Sequence, residues 1–283
     1  MRAVATSAEL RAAVEAARRT GASVGFVPTM GALHAGHRSL LARARGENAF
    51  VVASIFVNPL QFGPSEDLAS YPRDLASDLD ALERDGVDLA FTPEPAEMWP
   101  RQPVVRVSAG EIGARLEGAL RPGHLDGVAT VVAKLLNLVG PCRAYFGRKD
   151  AQQLAVVRRM VADLAFPNKI VACPTVREAD GLALSSRNAY LSPDERARAT
   201  ALFRGLRAGL DAWLAGERDP AKIEGAAAEV LDSTLGIDTQ YVALVEPERF
   251  EPSETAEAGH VLAVAARVGP ARLIDNLVLE EPA

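Results

Sequence analysis

Two hydrophobic patterns alternate along the first 175 residues of the chain. Short and nearly continuous apolar runs, such as Phe50–Val57, are typical of strands that are covered on both faces. Segments with an apolar residue at every third or fourth position, such as Ser7–Arg19, predict amphipathic helices, and Ser7 is the candidate N-cap of that helix. The predicted strands are Ser23–Val27 (closed by Pro28), Phe50–Val57, Val87–Phe91, Arg143–Phe146 and Lys169–Cys173, and the predicted helices are Ser7–Arg19, Gly36–Ala44, Pro72–Asp85, Val128–Val139 and Ala151–Leu164.

The regular alternation of strands and helices indicates an α/β fold with a Rossmann-like parallel sheet and helices on both of its faces. Sheets of this kind bind ligands at the carboxyl ends of their strands. The segments that directly follow the predicted strands are therefore the places to search for chemistry.

The pattern changes near residue 180. Helices followed by neighbouring strands favour a smaller α+β domain that closes over the site, and we expect the boundary between Val176 and Ser192. The predicted domains are accordingly 1–180 and 181–283. The elements predicted in the second domain are helices at Pro193–Gly216 and Pro220–Leu235 and strands at Gln240–Val245, His260–Val268 and Arg272–Val278.

Composition and charge exclude several classes of protein. The chain carries 31 Lys and Arg against 37 Asp and Glu, a net charge of −6, which argues against a protein that coats nucleic acid. Its two cysteines are too few for a disulfide framework or a four-cysteine zinc site. The first 19 residues lack the apolar core of a signal peptide, and no apolar run is long enough to span a bilayer. We therefore expect a cytoplasmic protein with neither a nucleic-acid nor a membrane partner.

The segment Pro28–His37, with the sequence PTMGALHAGH, carries the most information. It follows a predicted strand and opens a predicted helix, whose N-terminus offers N–H groups and a partial positive charge to an anion. Gly31 and Gly36 permit close approach of the backbone to a ligand. His34 and His37 lie on one face of the first helical turn, where both can donate hydrogen bonds to a phosphate.

Two other interpretations of these histidines stay open at this point. They could be ordinary surface residues of a loop, or they could chelate zinc. A zinc site lacks an evident third ligand, because His124 and His260 are isolated in the sequence. We expect the phosphate site.

Three further loops offer polar groups. Asn58–Gly63 presents neutral amides that suit hydroxyl and carboxylate groups, and Phe146–Gln153 presents Lys149 for phosphates and Asp150 for ribose hydroxyls. Leu184–Asn188 combines two serines with an arginine into an anion clamp. Each loop alone is also explained by an ordinary turn or a capped helix end. Because the four loops supply donors but no nucleophile paired with a base, together they favour phosphoryl or nucleotidyl transfer.

Four motifs in series, PTMGALHAGH, FVNPLQFG, YFGRKDAQQL and LALSSRNAYLS, resemble those of the pantothenate synthetase family, the pantoate–β-alanine ligases. The resemblance covers almost the whole chain, whereas His-x-Gly-His alone marks only the wider HIGH-motif nucleotidyltransferase superfamily. It implies that pantoate attacks the α-phosphate of ATP, with Mg²⁺ on the phosphates, to give pantoyl adenylate and pyrophosphate. β-Alanine then attacks the acyl carbon to give pantothenate and AMP. The resemblance also implies a homodimer.

The resemblance further implies roles for individual residues but identifies no protein ligand for the metal. Catalysis is expected from His34, His37 (the family's proton donor), Lys149, Ser185, Ser186 and Arg187. Pantoate and β-alanine are expected at Met30, Asn58, Gln61 and Gln153. The expected ATP site comprises Met30, Gly31, Ala32, Leu33, His34, Ala35, Gly36, His37, Gly147, Arg148, Lys149, Asp150, Val176, Leu184, Ser185, Ser186 and Arg187.

The chain departs from the family pattern in several places: Arg148 stands where a glutamate is usual, Ala151 where an aromatic residue is usual and Leu184 where a methionine is usual, and the segment Arg121–Val128 lacks a usual aromatic residue near Leu125. Arg148 adds a positive charge beside the expected phosphates. Two other functions also fit the fold: a catalytically silent nucleotide-binding regulator, and a nucleotidyltransferase with a different acceptor. The phosphate-facing residues that a silent regulator is expected to lose are intact, and the Asn58–Gln61 loop favours the ligase over other transferases.

Overall fold

A computed structural model describes residues 1–64, 68–69 and 71–280. Within these residues, six strands form one parallel sheet whose spatial order is β1-β4-β3-β2-β5-β6. The strands are β1 (Arg2–Val4), β2 (Val24–Thr29), β3 (Phe50–Ile55), β4 (Leu89–Phe91), β5 (Arg143–Gly147) and β6 (Lys169–Cys173). The helices of this part of the chain are α1 (Ser7–Arg19), α2 (Ala35–Glu47), α3 (Leu75–Arg84), α4 (Pro95–Met98), α5 (Leu116–Leu120), α6 (His124–Val139) and α7 (Ala151–Asp163).

Helices cover both faces of the sheet. Leu41 of α2 and Leu82 of α3 pack with Val27 in one buried cluster. The neighbouring Phe26 points to the opposite face, because successive side chains of a strand alternate. On that side α1 and α6 contact each other and β2. The predicted fold class, a parallel sheet between two helical layers, is confirmed.

The centre of the sheet is the place where its strand order reverses. β2 pairs with β3 on one side and with β5 on the other. The chain continues from β2 through β3 to β4 in one direction, and β5 and β6 are then added on the opposite side. Ligands bind such sheets in the crevice at the carboxyl ends of the strands on either side of this reversal. The loop after β2 therefore begins at the centre of the expected binding edge.

The prediction that Pro28 ends the strand Ser23–Val27 was wrong, because that strand, β2, continues through Pro28 to Thr29. The carbonyl of Thr29 accepts from the N–H of Phe56, on the side of β3. Pro28 therefore faces β5, with which β2 pairs only at Gly25 and Phe26. A proline is tolerated at that position, since its missing N–H removes no bond of the ladder.

The prediction that Ser7 caps the first helix was also wrong, and the N-cap is Thr6. The hydroxyl of Thr6 accepts from the N–H of Glu9 at 3.3 Å, and the Glu9 carboxylate accepts from the N–H of Thr6 at 3.1 Å. A glutamate three residues after the cap makes this reciprocal arrangement possible, and it decides between the two neighbouring hydroxyl residues.

The C-terminal part of the chain has the predicted α+β architecture. Its helices α8 (Pro193–Ala199), α9 (Ala201–Leu214) and α10 (Pro220–Asp232) precede the strands β7 (Ile237–Val245), β8 (Val261–Val268) and β9 (Ala271–Val278). In the described residues these strands form an antiparallel sheet in the order β7-β8-β9. Its core joins Leu206 of α9, Ile223 of α10 and Leu262 of β8, all of them fully buried.

The prediction of one long helix at Pro193–Gly216 was wrong, because the helix is interrupted at Thr200. The hydroxyl of Thr200 donates to the carbonyl of Ala197 at 2.7 Å. Such a bond from a threonine side chain competes with the helical ladder and ends α8 before α9 begins.

The described chain divides into two compact units. The first comprises Met1–Gly147 and Val156–Cys173, and the second comprises Arg148–Ala155 and the described residues from Pro174 onward. The turn that follows β5 therefore belongs to the same unit as the C-terminal sheet. The domain limits predicted above, 1–180 and 181–283, stay a prediction.

Candidate active site

The loop between β2 and α2 is fixed by a buried carboxylate. The N–H groups of Ala32 and Leu33 donate to the two oxygens of Asp78, at 2.9 and 2.8 Å. Asp78 lies in the first turn of α3 and is 5% exposed. Gly31 has a φ of +84°, and a Cβ on it would approach Asp78 Oδ2 to 2.7 Å, so only glycine fits there. The loop thus has one defined path over the carboxylate.

Asp78 is a residue that sequence reasoning missed. It stands on an amphipathic helix among Leu75, Leu79 and Leu82, at a spacing of three and four residues. An acidic residue within an apolar stripe was the signal that could have identified it, because a buried carboxylate needs hydrogen-bond donors.

The two predicted histidines lie together at the start of α2. His34 is the N-cap, and its Nδ1 accepts from the N–H of Gly36 at 3.1 Å. The Nδ1 of His37 accepts from the N–H of His34 at 3.3 Å, and the two ring centroids are 4.1 Å apart. A ring nitrogen that accepts a hydrogen bond carries no proton, so a neutral ring has its proton on Nε2. Both rings are therefore held in the tautomer that donates from Nε2.

The opposite end of α2 is anchored to the sheet through Tyr145 of β5. The Tyr145 hydroxyl accepts from Asn48 Nδ2 at 2.7 Å and donates to the Glu47 carboxylate at 2.8 Å. Burial and the Glu47 carboxylate raise the pKa of Tyr145 to about 12, so the phenol stays neutral and remains a donor. Both ends of α2 are thereby fixed by polar side chains.

Met30, Asn58 and Gln61 form a second cluster in the same unit. Gln61 Nε2 donates to the sulfur of Met30 at 2.9 Å, and Asn58 Nδ2 donates to Gln61 Oε1 at 3.2 Å. Asn58 is only 1% exposed, and its Oδ1 accepts from the indole N–H of Trp99 at 3.1 Å. The structure thus brings these three predicted residues together and adds Trp99, which no sequence pattern had indicated.

The loop that carries Asn58 and Gln61 lies directly on α6. Asn58 Nδ2 donates to the carbonyl of Gly127 at 3.1 Å, and a Cβ on Gly127 would meet the carbonyl oxygen of Leu60 at 2.2 Å. His124 Nδ1 is 2.8 Å from the carbonyl oxygen of Gln61. His124 therefore supports this loop, which agrees with its isolation from any zinc ligand in the sequence. Among the residues that the structure describes, no three His, Cys, Asp or Glu side chains are placed to hold a metal ion.

In the second unit, the turn Arg148–Asp150 leads into α7. The ammonium of Lys149 lies 3.4 Å from the Asp150 carboxylate. Arg148, one of the departures from the family pattern, is exposed and pairs with Glu280 at 3.3 Å. The carbonyls of Arg148 and Lys149 accept from the side-chain amide of Asn276, which sequence reasoning also missed.

The segments around Val176 and Leu184 lie side by side in the second unit. The N–H of Leu184 donates to the carbonyl of Val176 at 3.0 Å, next to a bridge between Arg177 and Ala183. Ser185 then caps a short 3₁₀ turn, Ser186–Tyr190, by accepting from the N–H of Arg187 at 3.3 Å. The structure thus brings the predicted residues Val176 and Leu184 together and orders the Ser-Ser-Arg segment that follows.

Within residues 1–64, 68–69 and 71–280, no helix has the length and apolar character needed to cross a bilayer.

Comparisons with known proteins agree over the whole chain. The family model described as pantoate-beta-alanine ligase matches residues 2–278. A pantothenate synthetase of Roseiflexus sp. (strain RS-1) is 52% identical, over 99% of this chain and 100% of that protein. The crystal structure of pantothenate synthetase from Thermus thermophilus is similar with a TM-score of 0.93 and 53% identity, over 99% of this chain and 100% of that one. A pantoate-beta-alanine ligase from Francisella tularensis, complexed with beta-gamma ATP and beta-alanine, has a TM-score of 0.81 and 32% identity, over 100% and 99% of the chains.

Proposed function

The chain belongs to the pantoate–β-alanine ligase family, and on that premise we propose that it joins pantoate to β-alanine with ATP as the energy source. Pantoate attacks the α-phosphate of ATP, and pantoyl adenylate and pyrophosphate result. β-Alanine then attacks the acyl carbon, and pantothenate and AMP leave. The observation that carries the proposal is the position of the two histidines, at a helix N-terminus directly after the central strand of the sheet.

The proposed role of His34 and His37 is to stabilise charge on the phosphates. Adenylation builds negative charge on the α-phosphate and on the departing pyrophosphate, and N–H groups placed there lower the barrier. Each Nδ1 accepts a backbone N–H, so a neutral ring donates from Nε2. An imidazolium has no acceptor nitrogen and would lose its cap. This favours His37 as a hydrogen-bond donor that keeps its proton over a general acid that gives it up.

We propose that pantoate binds at Met30 and Gln61, with Gln153 of α7 as a further amide. A neutral amide can hydrogen-bond the hydroxyls of pantoate without neutralising the carboxylate that attacks ATP. Asn58 is buried and bonded to Gln61, to the carbonyl of Gly127 and to Trp99. Its proposed role is therefore to orient Gln61, rather than to touch pantoate or β-alanine itself.

We propose that ATP is bound by the loop Met30–His37 and by the segments that follow β5 and β6 in the chain. Lys149 would meet the phosphates and Asp150 the ribose, while Val176 would meet adenine through its backbone. Gly147 and Arg148 would line the same turn, and the segment Leu184–Arg187 would close over the phosphates with two hydroxyls and a guanidinium. In this proposal, residues 1–180 form the domain that binds ATP and pantoate, and residues 181–283 form the smaller domain that closes over the site.

Mg²⁺ belongs to the proposal as an ion carried by the phosphates of ATP, whose charge it neutralises. The described residues offer no cluster of three ligands, and the nearby Asp78 carboxylate already accepts two backbone N–H groups. These surroundings fit a Mg²⁺ ion whose ligands are mainly phosphate oxygens and water, as is usual in nucleotide sites.

We also propose that the protein works in the cytoplasm, where ATP is supplied, and that it is a homodimer. The observation that supports a dimer is a pair of adjacent apolar side chains, Val104 and Val105, which are 97% and 86% exposed. Adjacent exposed β-branched side chains offer apolar surface that a second copy of the chain would cover. The mass in solution, which we expect to be twice the chain mass of 30.0 kDa, checks this proposal.

The proposed activity predicts that AMP and pantothenate form in equal amounts from ATP, Mg²⁺, pantoate and β-alanine. Omission of pantoate is expected to abolish AMP formation, and pantoate alone is expected to support exchange of labelled pyrophosphate into ATP through the adenylate. Chromatography of the nucleotides measures the AMP that forms and the label that enters ATP, and chromatography of the acids measures pantothenate.

The same assay separates the alternatives. ATP that binds without AMP formation under any condition would indicate a silent regulator. AMP formation that needs neither pantoate nor β-alanine would contradict the ligase and indicate a transferase with another acceptor.

A further inference from the structure

The side-chain amide of Asn276 binds the turn that carries Lys149. Asn276 lies on β9 and is 5% exposed. Its Nδ2 donates to the carbonyl of Arg148 at 2.9 Å and to that of Lys149 at 2.8 Å. Both protons of one NH₂ group are thus directed to two consecutive carbonyls, which fixes the path of the backbone at the turn.

Asn276 is itself held by a buried ion pair. The Asp275 carboxylate accepts from Arg177 Nη1 and Nη2, at 2.5 and 2.9 Å, and from the N–H of Asn276 at 2.7 Å. Arg177 Nη2 also donates to the carbonyl of Asn276 at 3.1 Å. Burial raises the pKa of Asp275 above its ordinary value, and the Arg177 guanidinium partly opposes this. The carboxylate is 2% exposed and has three donors around it, so the arrangement is specific.

The arginine of this ion pair also contacts Gly181 and Phe203. Arg177 Nη1 donates to the carbonyl of Gly181 at 3.0 Å, and the guanidinium stacks on Phe203 at 4.4 Å. Arg177 directly follows Val176, whose carbonyl accepts from the N–H of Leu184. Two neighbouring residues of β9 therefore hold both the turn at Arg148–Asp150 and the segments at Val176 and Leu184.

We propose that Asn276 is a positioning residue for the nucleotide-binding turn, and that the Arg177–Asp275 pair locks it to the adjoining nucleotide-binding segment. This inference rests on the proposed function, since the roles of Lys149, Val176 and Leu184 toward ATP belong to it. Asn276 acts through the backbone of Lys149, because its own amide protons are used by the two carbonyls.

The substitution Asn276→Asp removes the amide donors and changes the charge at this position. Aspartate has nearly the shape of asparagine but no donor, so Asn276→Asp places an anion against two carbonyl oxygens. The turn must then move away, and a displacement of about 1 Å at a binding group is enough to lose a factor of ten or more in rate or affinity. The effect is expected in the affinity for ATP.

The test compares Asn276→Asp with a matched control, Asn168→Asp, in the full-length protein. Asn168 Nδ2 likewise donates to a carbonyl, that of Gly140 at 2.7 Å, but lies in the other unit. We expect the Kd of ATP, measured by calorimetry without pantoate, to rise about tenfold or more in Asn276→Asp. The KM for ATP is expected to rise with it, while Asn168→Asp leaves both unchanged.

If Asn276 only stabilised the fold, its substitution would change a different set of measured quantities. Partial unfolding would lower the apparent kcat and the melting temperature while the Kd and KM for ATP stayed at the wild-type values, and that result would overturn the inference. If Asn276→Asp does not fold, Asn276→Ala decides, since it removes the donors without adding a charge. A Kd for ATP within twofold of wild type in Asn276→Ala would then be decisive against the inference.

Failure of the proposed function can be distinguished from failure of the inference about Asn276. A wild-type protein that binds ATP but makes no pantothenate contradicts the ligase, whereas the Kd comparison of Asn276→Asp with Asn168→Asp still holds. A wild-type protein that binds no ATP contradicts both.

Discussion

At the scale of single residues, a backbone N–H donates to the Nδ1 of His34 and another donates to the Nδ1 of His37, and these two contacts bear on the roles that we propose for the rings. The sequence predicted two imidazoles beside a phosphate, and the family resemblance implied that His37 is a proton donor; the residues alone do not separate a group that gives up its proton from one that only donates a hydrogen bond. The contacts favour the second role, since the neutral Nε2–H tautomer is a good donor and a poor acid. A pattern of residue types could not reveal this, because a tautomer depends on the atom that each ring nitrogen contacts.

The residue-scale prediction concerns His37 and Lys149, the two proposed phosphate donors. We expect His37→Ala and Lys149→Ala each to lower kcat by about 100-fold or more with the fold intact, as when a donor to a developing charge is removed. Steady-state kinetics and a thermal melt measure the two quantities.

Matched controls are His260→Ala, whose ring contacts the Ser253 hydroxyl at 2.9 Å in the C-terminal unit, and Lys169→Ala on the exposed start of β6. Turnover near wild type in both His37→Ala and Lys149→Ala would refute the assigned roles.

At the scale of elements, helix α3 fixes the loop between two others. The sequence predicted an amphipathic helix at Pro72–Asp85 and placed no function on it. Asp78 nevertheless accepts the N–H groups of Ala32 and Leu33 and so shapes the path from β2 into α2. Charge patterning alone could not show this, because α3 is separated from the loop by more than forty residues and meets it only in the folded chain.

The element-scale prediction is that Asp78→Asn weakens this connection. An amide has one acceptor oxygen, so one of the two partly buried N–H groups loses its partner, at a cost of about 1 kcal/mol in the free energy of unfolding. We expect kcat/KM for ATP to fall about tenfold as the loop shifts. Urea unfolding and steady-state kinetics test the two effects, and Asp80→Asn, an exposed acid on the same helix, is the control. Asp78→Asn with both values unchanged would show that the carboxylate is not needed to hold the loop.

At the scale of the whole molecule, the exposed pair Val104 and Val105 is the surface on which we place the proposed dimer contact. A homodimer was expected from the sequence only through the family resemblance. The exposure of these side chains now gives that proposal a location within the first unit.

The prediction at this scale is that a double variant, Val104→Asp with Val105→Asp, is a monomer, because a charged interface between identical chains repels itself. Leu235→Asp, at an equally open position (88% exposed) in the other unit, is expected to leave the dimer intact. Sedimentation velocity distinguishes the masses. A wild-type mass of 30.0 kDa, or a double variant that remains dimeric, would contradict the proposal.

The sequence by itself determined the fold class, the order of nearly all helices and strands, and the loops that carry the candidate chemistry. These features are local, because hydrophobic period and turn residues act over a few neighbouring positions. It missed the strand β1 and the helices α4 and α5, which have three to five residues each and are too short to show a period. It also misjudged Thr6, Pro28 and Thr200, where a single hydrogen bond or pairing decided the outcome.

Only the tertiary structure decided which distant groups hold the candidate site. Asp78 lies 46 residues from Ala32, and Asn276 lies 127 residues from Lys149, yet each pair shares a hydrogen bond. Such pairings depend on which polar groups of distant segments meet when the chain folds, and polar groups that folding removes from water need a partner there. Sequence motifs therefore identify the residues that face the ligand, while the residues that hold them in place appear only in the folded chain.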